Sequence, residues 1–197
     1  MSKKEINIPF EFPTVEQIEK EISREKYNRS YKKVLKSTLS SLIVVAAIAV
    51  LVATLALPVL QIKGSSMEPT LHDEEIVILF KTSKLERGQL CCFSYQNKYL
   101  IKRVIGIPGD SITILEDGTV YVNGRALEEQ YIVDKSLGEC DITFPVNVTD
   151  NHYFILGDNR STSIDSRNSV VGLVSSEQIV GKIFFRVWPF ETVGTVK

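Results

Sequence analysis

Cysteine, histidine and net charge are all scarce in this chain. Its 197 residues include three cysteines and two histidines. Three cysteines are too few for a disulfide-dense scaffold, and none stands in the C-x-x-C spacing of a metal site. The two histidines, His72 and His152, leave little material for a histidine-rich metal centre. Lys and Arg total 23 and Asp and Glu 24, a net charge of −1. That balance argues against nucleic-acid binding by bulk positive charge. Hydrophobic residues make up 44% and charged residues 24%, too apolar for a disordered chain. No internal repeat or low-complexity tract is present.

What is present, first, is a long uncharged run from Ser37 to Ile62. Roughly 20 apolar residues span a bilayer core, so residues 37–62 read as a transmembrane helix. A buried soluble helix is the alternative, but such helices are shorter and carry a polar face. A cleaved secretory signal is opposed by the long leader before the run. Arg24, Lys26, Arg29, Lys32, Lys33 and Lys36 crowd the N-terminal flank, against Glu21 and Glu25; beyond the span only Lys63 is close. Positive charge stays inside. The expected organisation is a cytoplasmic charged tail (1–36), a membrane span (37–62) and an extracytoplasmic domain (63–197). Pro13–Lys36 suits a charged helix at the inner membrane face.

The outer part reads as mostly β, an antiparallel domain. Glu75–Phe80, Leu90–Tyr95, Tyr99–Ile107, Ser111–Leu115, Val120–Val122, Tyr153–Leu156 and Gly181–Val187 are short and rich in β-branched or aromatic residues. Glu116-Asp117-Gly118 and Asn123-Gly124 are hairpin signals, and Pro108-Gly109-Asp110 marks another turn. Ser175–Ile179 suits a short helix capped by Ser175 or Ser176.

Three segments carry candidate chemistry. Just past the span stands Gly64-Ser65-Ser66-Met67-Glu68-Pro69-Thr70. A serine in a glycine-containing turn presents its hydroxyl with little cover, and neighbouring N–H groups can face a carbonyl. It needs a base. His72 or His152 in a Ser-His-Asp triad is one option, with exposed loop histidines as the plainer reading. Lys102 is the other. In a strand over Tyr99–Gly106 its face is shared with Leu100 and Val104, and burial lowers a lysine's pKa. From that pattern alone, a lysine snorkelling from a strand edge is the better explanation of the residue. The third segment, Gly157–Arg167, packs two acids, two arginines and several hydroxyls into a short loop. Charge-assisted bonds such as Asp165 with Arg167, or Asp158 with Arg160, would order it; an ordinary polar turn is the alternative.

Together these segments resemble type I signal peptidases, membrane-anchored Ser-Lys proteases. G-S-S-M-E-P-T-L is similar to the family's serine box, Y-L-I-K-R-V-I-G-I-P-G-D (Tyr99–Asp110) to its lysine box and G-D-N-R-S-T-S-I-D-S-R to its third box. V-Y-V-N-G (Val120–Gly124) fits the hairpin between, and the span belongs to the same pattern. The resemblance covers about residues 37–190 and implies Ser66 as nucleophile and Lys102 as general base. It further implies Ser163 as the hydroxyl orienting the lysine, and Asp165 and Arg167 as a supporting ion pair. Ile62 and Ile101 would line shallow pockets selecting Ala-x-Ala. The Ser66 N–H would be one oxyanion donor. Gly64 occupies the position where some relatives carry a second, serine donor. Lysine rather than histidine in the second box favours the bacterial type, and Gly64 makes the resemblance Gram-positive-like. The implied partners are precursor proteins bearing signal peptides and the lipid bilayer, with no nucleic acid, a monomeric enzyme, and no metal or cofactor.

Competing readings are weaker. A self-cleaving repressor-type protease shares the dyad but needs a DNA-binding domain where the span stands. The S-x-x-K spacings Ser23–Lys26 and Ser30–Lys33 lie in the charged tail. A cysteine protease lacks a histidine partner for Cys91, Cys92 or Cys140, and an odd thiol count leaves at least one free. Asn147-Val148-Thr149 matches a glycosylation acceptor. A membrane-anchored binding module that has lost activity is opposed by the presence of both Ser66 and Lys102.

Overall fold

The computed structural model describes residues 12–196 and divides into two units, residues 1–52 and 53–197. The first consists of most of helix α1, Val15–Ala56. Its C-terminal part from Ser37 holds no charge and is roughly 20 residues long, about 30 Å at 1.5 Å per residue, the thickness of a bilayer core. Its N-terminal part is the expected charged helix, with Glu21–Arg24 and Glu25–Arg29 pairs one turn apart. The helix stops at Ala56, short of the expected end at Ile62. Pro58 explains this: it has no N–H to donate and disfavours helical backbone at Leu57. Residues 59–61 are strand instead.

The second unit holds twelve strands among its described residues: β1 Val59–Gln61, β2 Ile76–Phe80, β3 Leu90–Tyr95, β4 Lys98–Gly106, β5 Ser111–Ile114, β6 Val120–Val122, β7 Arg125–Ala126, β8 Val146–Asn147, β9 His152–Leu156, β10 Val174–Ser175, β11 Ile179–Trp188 and β12 Gly194–Thr195. They form a large sheet in the order β1-β2-β11-β3-β4-β9-β10, with β12 on β11, and a small sheet β7-β6-β5-β8. Every strand pairing among the described residues runs antiparallel. Residues 175–179 are not a helix: Val174–Ser175 pairs with β9, a tight turn follows, and β11 begins at Ile179.

Three buried clusters fix the architecture. Ile62, Met67, Leu71, Val77, Leu79, Leu90, Cys92 and Ile183 form one. Cys91, Phe93, Val104, Tyr153 and Ile155 belong to a second, and Ile105, Ile112, Val120, Phe154 and Leu156 to a third. Each fully buried Leu, Ile or Phe contributes about 1.5–3 kcal/mol, so these clusters hold the strands. β4 and β9 send alternate residues into the second and third clusters, which is why Arg103–Gly106 and Tyr153–Leu156 are buried on both faces.

Candidate active site

The serine segment is a closed loop. The Ile62 N–H donates to the Glu75 carbonyl at 2.7 Å and the Glu74 N–H to the Ile62 carbonyl at 3.0 Å, forming a neck. Gly64 sits at φ +90°, a left-handed conformation that glycine tolerates, and its N–H donates to Asp73 Oδ1 at 2.7 Å. Met67 and Leu71 are buried and joined by one helical turn, the Leu71 N–H donating to the Met67 carbonyl at 2.9 Å. These anchors pin the backbone on either side of half-buried Ser66.

Lys102 lies on β4 directly across from Cys91, with Leu100 and Val104 on its own face, as the alternation required. Its side chain is 4% exposed, and its Nζ lies 2.7 Å from Ser66 Oγ. Burial pushes the ammonium down from 10.5 to about 8, with the Asp165 carboxylate partly opposing the shift. No carboxylate forms an ion pair with it among the described residues. Both nearby acids are held by arginines. Asp165 takes Arg167 in a two-pronged pair at 2.8 and 2.9 Å and accepts the Gly157 N–H at 2.9 Å. Asp158 takes Arg103 at 2.8 and 2.6 Å. With a midpoint near 8, a fraction of the amine is neutral at physiological pH within reach of a hydroxyl, the condition for drawing a proton from serine.

The loop 157–167 is welded to the serine segment. The Asn159 N–H donates to the Ser66 carbonyl at 3.1 Å. A Cβ on Gly157 would fall 2.2 Å from Ser163 Oγ and 2.6 Å from the Ser66 carbonyl oxygen, so only glycine permits this approach. Arg167 also donates to the carbonyls of Leu137 and Ser163, at 2.6 and 3.3 Å.

Two expectations change here. Asp158 does not pair with Arg160. It binds Arg103 and Thr70, while Arg160 binds Glu129. Arg103 reaches Asp158 because it occupies the face of β4 opposite Lys102, and its guanidinium also lies 3.9 Å from the Tyr131 ring centroid. The Ser163 hydroxyl is buried and makes no hydrogen bond, so the expected contact with Lys102 is not formed. Asp165 and Arg167 do pair as expected, fully buried.

Ile62 and Ile101 come together on the first cluster, lining a groove of about 540 Å³ with Leu60, Lys63, Ser66 and Lys102. His72 is exposed and faces Glu68 at 3.9 Å, and His152 bonds within its own turn to Thr149 and Asp150. Neither bonds Ser66. The three cysteines are free; burial pushes the thiols of Cys91 and Cys92 up to about 12. No metal-holding group of acids, histidines and cysteines occurs among the described residues. Sequence reasoning missed Glu129, Tyr131 and Thr70, which have no periodic signal. It also gave Arg103 no role, although an arginine inside an apolar strand requires a buried carboxylate.

The family model "Signal peptidase, peptidase S26" matches residues 35–188. Signal peptidase I of Bacillus amyloliquefaciens is 34% identical over 184 residues, covering 88% of this chain and 98% of that protein. Signal peptidase IB of Staphylococcus aureus is 38% identical over 179 residues, covering 81% and 92%. The crystal structure of a signal peptidase I from Enterococcus faecalis V583 is 30% identical, covers 50% of this chain and 96% of that one, and gives a TM-score of 0.41. With an apolar N-terminal helix, an antiparallel β domain and matches over most of its length, the chain belongs to the signal peptidase family, peptidase S26, and is a serine endopeptidase.

Proposed function

We propose that this protein removes signal peptides from secreted precursors, cutting after Ala-x-Ala-like sites with Ser66 as nucleophile and Lys102 as general base. The observation that carries the proposal is the 2.7 Å approach of Ser66 Oγ to a buried Lys102 amine. Lys102 Nζ takes the hydroxyl proton as Oγ attacks the scissile carbonyl. The resulting ammonium returns that proton to the departing amine, the new N-terminus of the mature protein. A water then gives a proton to Nζ and attacks the acyl-enzyme, which releases the signal peptide and restores the Ser66 hydroxyl.

The Ser66 N–H is one oxyanion donor, with no contribution from a side chain at Gly64. Ser163 is the hydroxyl that orients Nζ once substrate is bound, a contact the free enzyme does not make. Asp165 and Arg167 hold the loop rather than touch substrate. The chemistry assigned to these residues calls on no metal or cofactor. The span 37–56 keeps the charged tail cytoplasmic and the β unit outside, and a monomer suffices because every group named lies on one chain.

The substrate enters as an extended strand. β1 and the first half of β4, Lys98–Lys102, have unpaired edges toward the groove, because β9 meets β4 only from Arg103 onward. Both run toward the dyad, so a peptide running parallel to them delivers its carbonyl to Ser66. P1 and P3 side chains then fall on Ile62 and Ile101, whose apolar side chains suit small apolar residues such as alanine. The test is co-expression of a secreted precursor with Ser66→Ala or Lys102→Ala in a host lacking other signal peptidases. Loss of processing in both supports the reading, and full processing by Ser66→Ala refutes the nucleophile.

A further inference from the structure

The substrate groove has an unbalanced rim. Lys63 and Lys98 are exposed at its edge, no carboxylate lines it, and neither lysine forms an ion pair among the described residues. Asp73, on the same loop as Lys63, directs Oδ1 to the Gly64 N–H. Both lysines leave the apolar side of the groove. Ile62 and Ile101 point into the first cluster. Lys98, three residues from Ile101 on β4, takes the opposite face of that strand, and Lys63, next after buried Ile62, is exposed. Lys98 lies about 13 Å along β4 from Lys102, at about 3.3 Å per residue.

We propose, resting on the peptidase reading above, that Lys63 and Lys98 are specificity residues. They select clients with an acidic side chain at the outward-facing positions of the cleavage segment, P2 at Lys63 and P4 at Lys98. In an extended peptide P1 and P3 fill the apolar pockets, so P2 and P4 turn to the lysine side. A carboxylate there gains attraction with no protein acid to compete, and a basic residue meets repulsion. Exposed charges interact weakly and are screened by salt, so the effect is one of preference.

The test uses full-length protein in uncharged detergent and three peptides that share Ala-x-Ala and differ at P2: Glu, Gln or Lys. The expected kcat/KM for Glu exceeds that for Lys about tenfold at low salt, and the ratio shrinks severalfold in 0.5 M NaCl, where the Debye length is only about 4 Å. Lys63→Gln flattens the ratio and Lys63→Glu inverts it, while Lys98→Gln acts on a matching P4 series. Equal rates for the three peptides overturn the proposal while leaving the peptidase reading intact. So does a ratio indifferent to Lys63, or a Lys63→Gln effect confined to binding of anionic over neutral vesicles, which would assign the charge to lipid. Failure to cut any of the three overturns the peptidase reading and this proposal with it.

Discussion

Lys102 and Arg103 are adjacent cations on one strand, both almost fully buried, and the protein treats them oppositely. Arg103 faces a fork of Asp158 oxygens, the Gly88 carbonyl at 2.7 Å and the face of Tyr131. Lys102 faces Cys91, Leu100, Val104 and one serine hydroxyl. Guanidinium keeps its proton in any protein setting, so its burial demands a partner. An amine can shed its proton instead, and a site that withholds a carboxylate makes it do so. On the proposed reading, the Arg103 side of the strand is structural and the Lys102 side chemical.

Replacing either member of the dyad sharpens this contrast most. Ser66→Ala and Lys102→Met each lower kcat/KM by about 10⁴-fold or more, with the double variant little worse than either single one, as for groups acting as a unit. Precursor cleavage by purified full-length variants reads this out. Next comes stability. Asp158→Asn leaves Arg103 buried without its counter-charge and costs about 3–5 kcal/mol, seen as a lowered thermal midpoint. Lys102→Met has the opposite sign. The lysine pKa is about 8 folded and near 10.5 unfolded, so between those values the unfolded chain holds a proton that the folded chain lacks, and stability rises with pH. Below pH 8 the full penalty applies, so Lys102→Met raises the stability at pH 7 by up to about 3 kcal/mol, and this gain fades as the pH rises from 8 towards 10.5. A loss of stability in Lys102→Met comparable to that of Asp158→Asn would erase the distinction between the two faces.

The pH profile is the third effect. With a base near pKa 8, kcat/KM rises about tenfold from pH 7 to pH 9 and then levels; a profile flat over that range argues against a lysine base. Ser163→Ala has an effect of about the same size. Its hydroxyl bonds nothing in the resting enzyme, so the variant lowers kcat about tenfold with KM unchanged and folds normally. Gly157→Ala instead forces apart Ser163 and the Ser66 carbonyl, and shifts the pH profile as well as the rate.

Much of this was legible before any coordinates. Short runs rich in β-branched or aromatic residues placed β2, β3, β4, β5, β6, β9 and β11 within a residue or two, and the position of Lys102 between Leu100 and Val104 anticipated its apolar wall. The two-residue strands β7, β8, β10 and β12 escaped because so few residues carry no compositional signal. Ser175–Ile179 looked like a capped helix, yet pairing with β9 overrode local propensity. Pro58 ended the helix early, and the uncharged run concealed it because β1 is apolar too. The arginine partners were illegible for a different reason. Arg160 with Glu129 and Arg103 with Asp158 are contacts between distant segments, and nearness in sequence suggested Asp158 with Arg160 instead.

The state of one nitrogen decides the account. A ¹³C-lysine NMR titration of the full-length protein, with the Lys102 signal assigned by its loss in Lys102→Met, measures that nitrogen directly. The structure predicts a midpoint near 8. A midpoint near 10.5, the value of a solvated lysine, would contradict it.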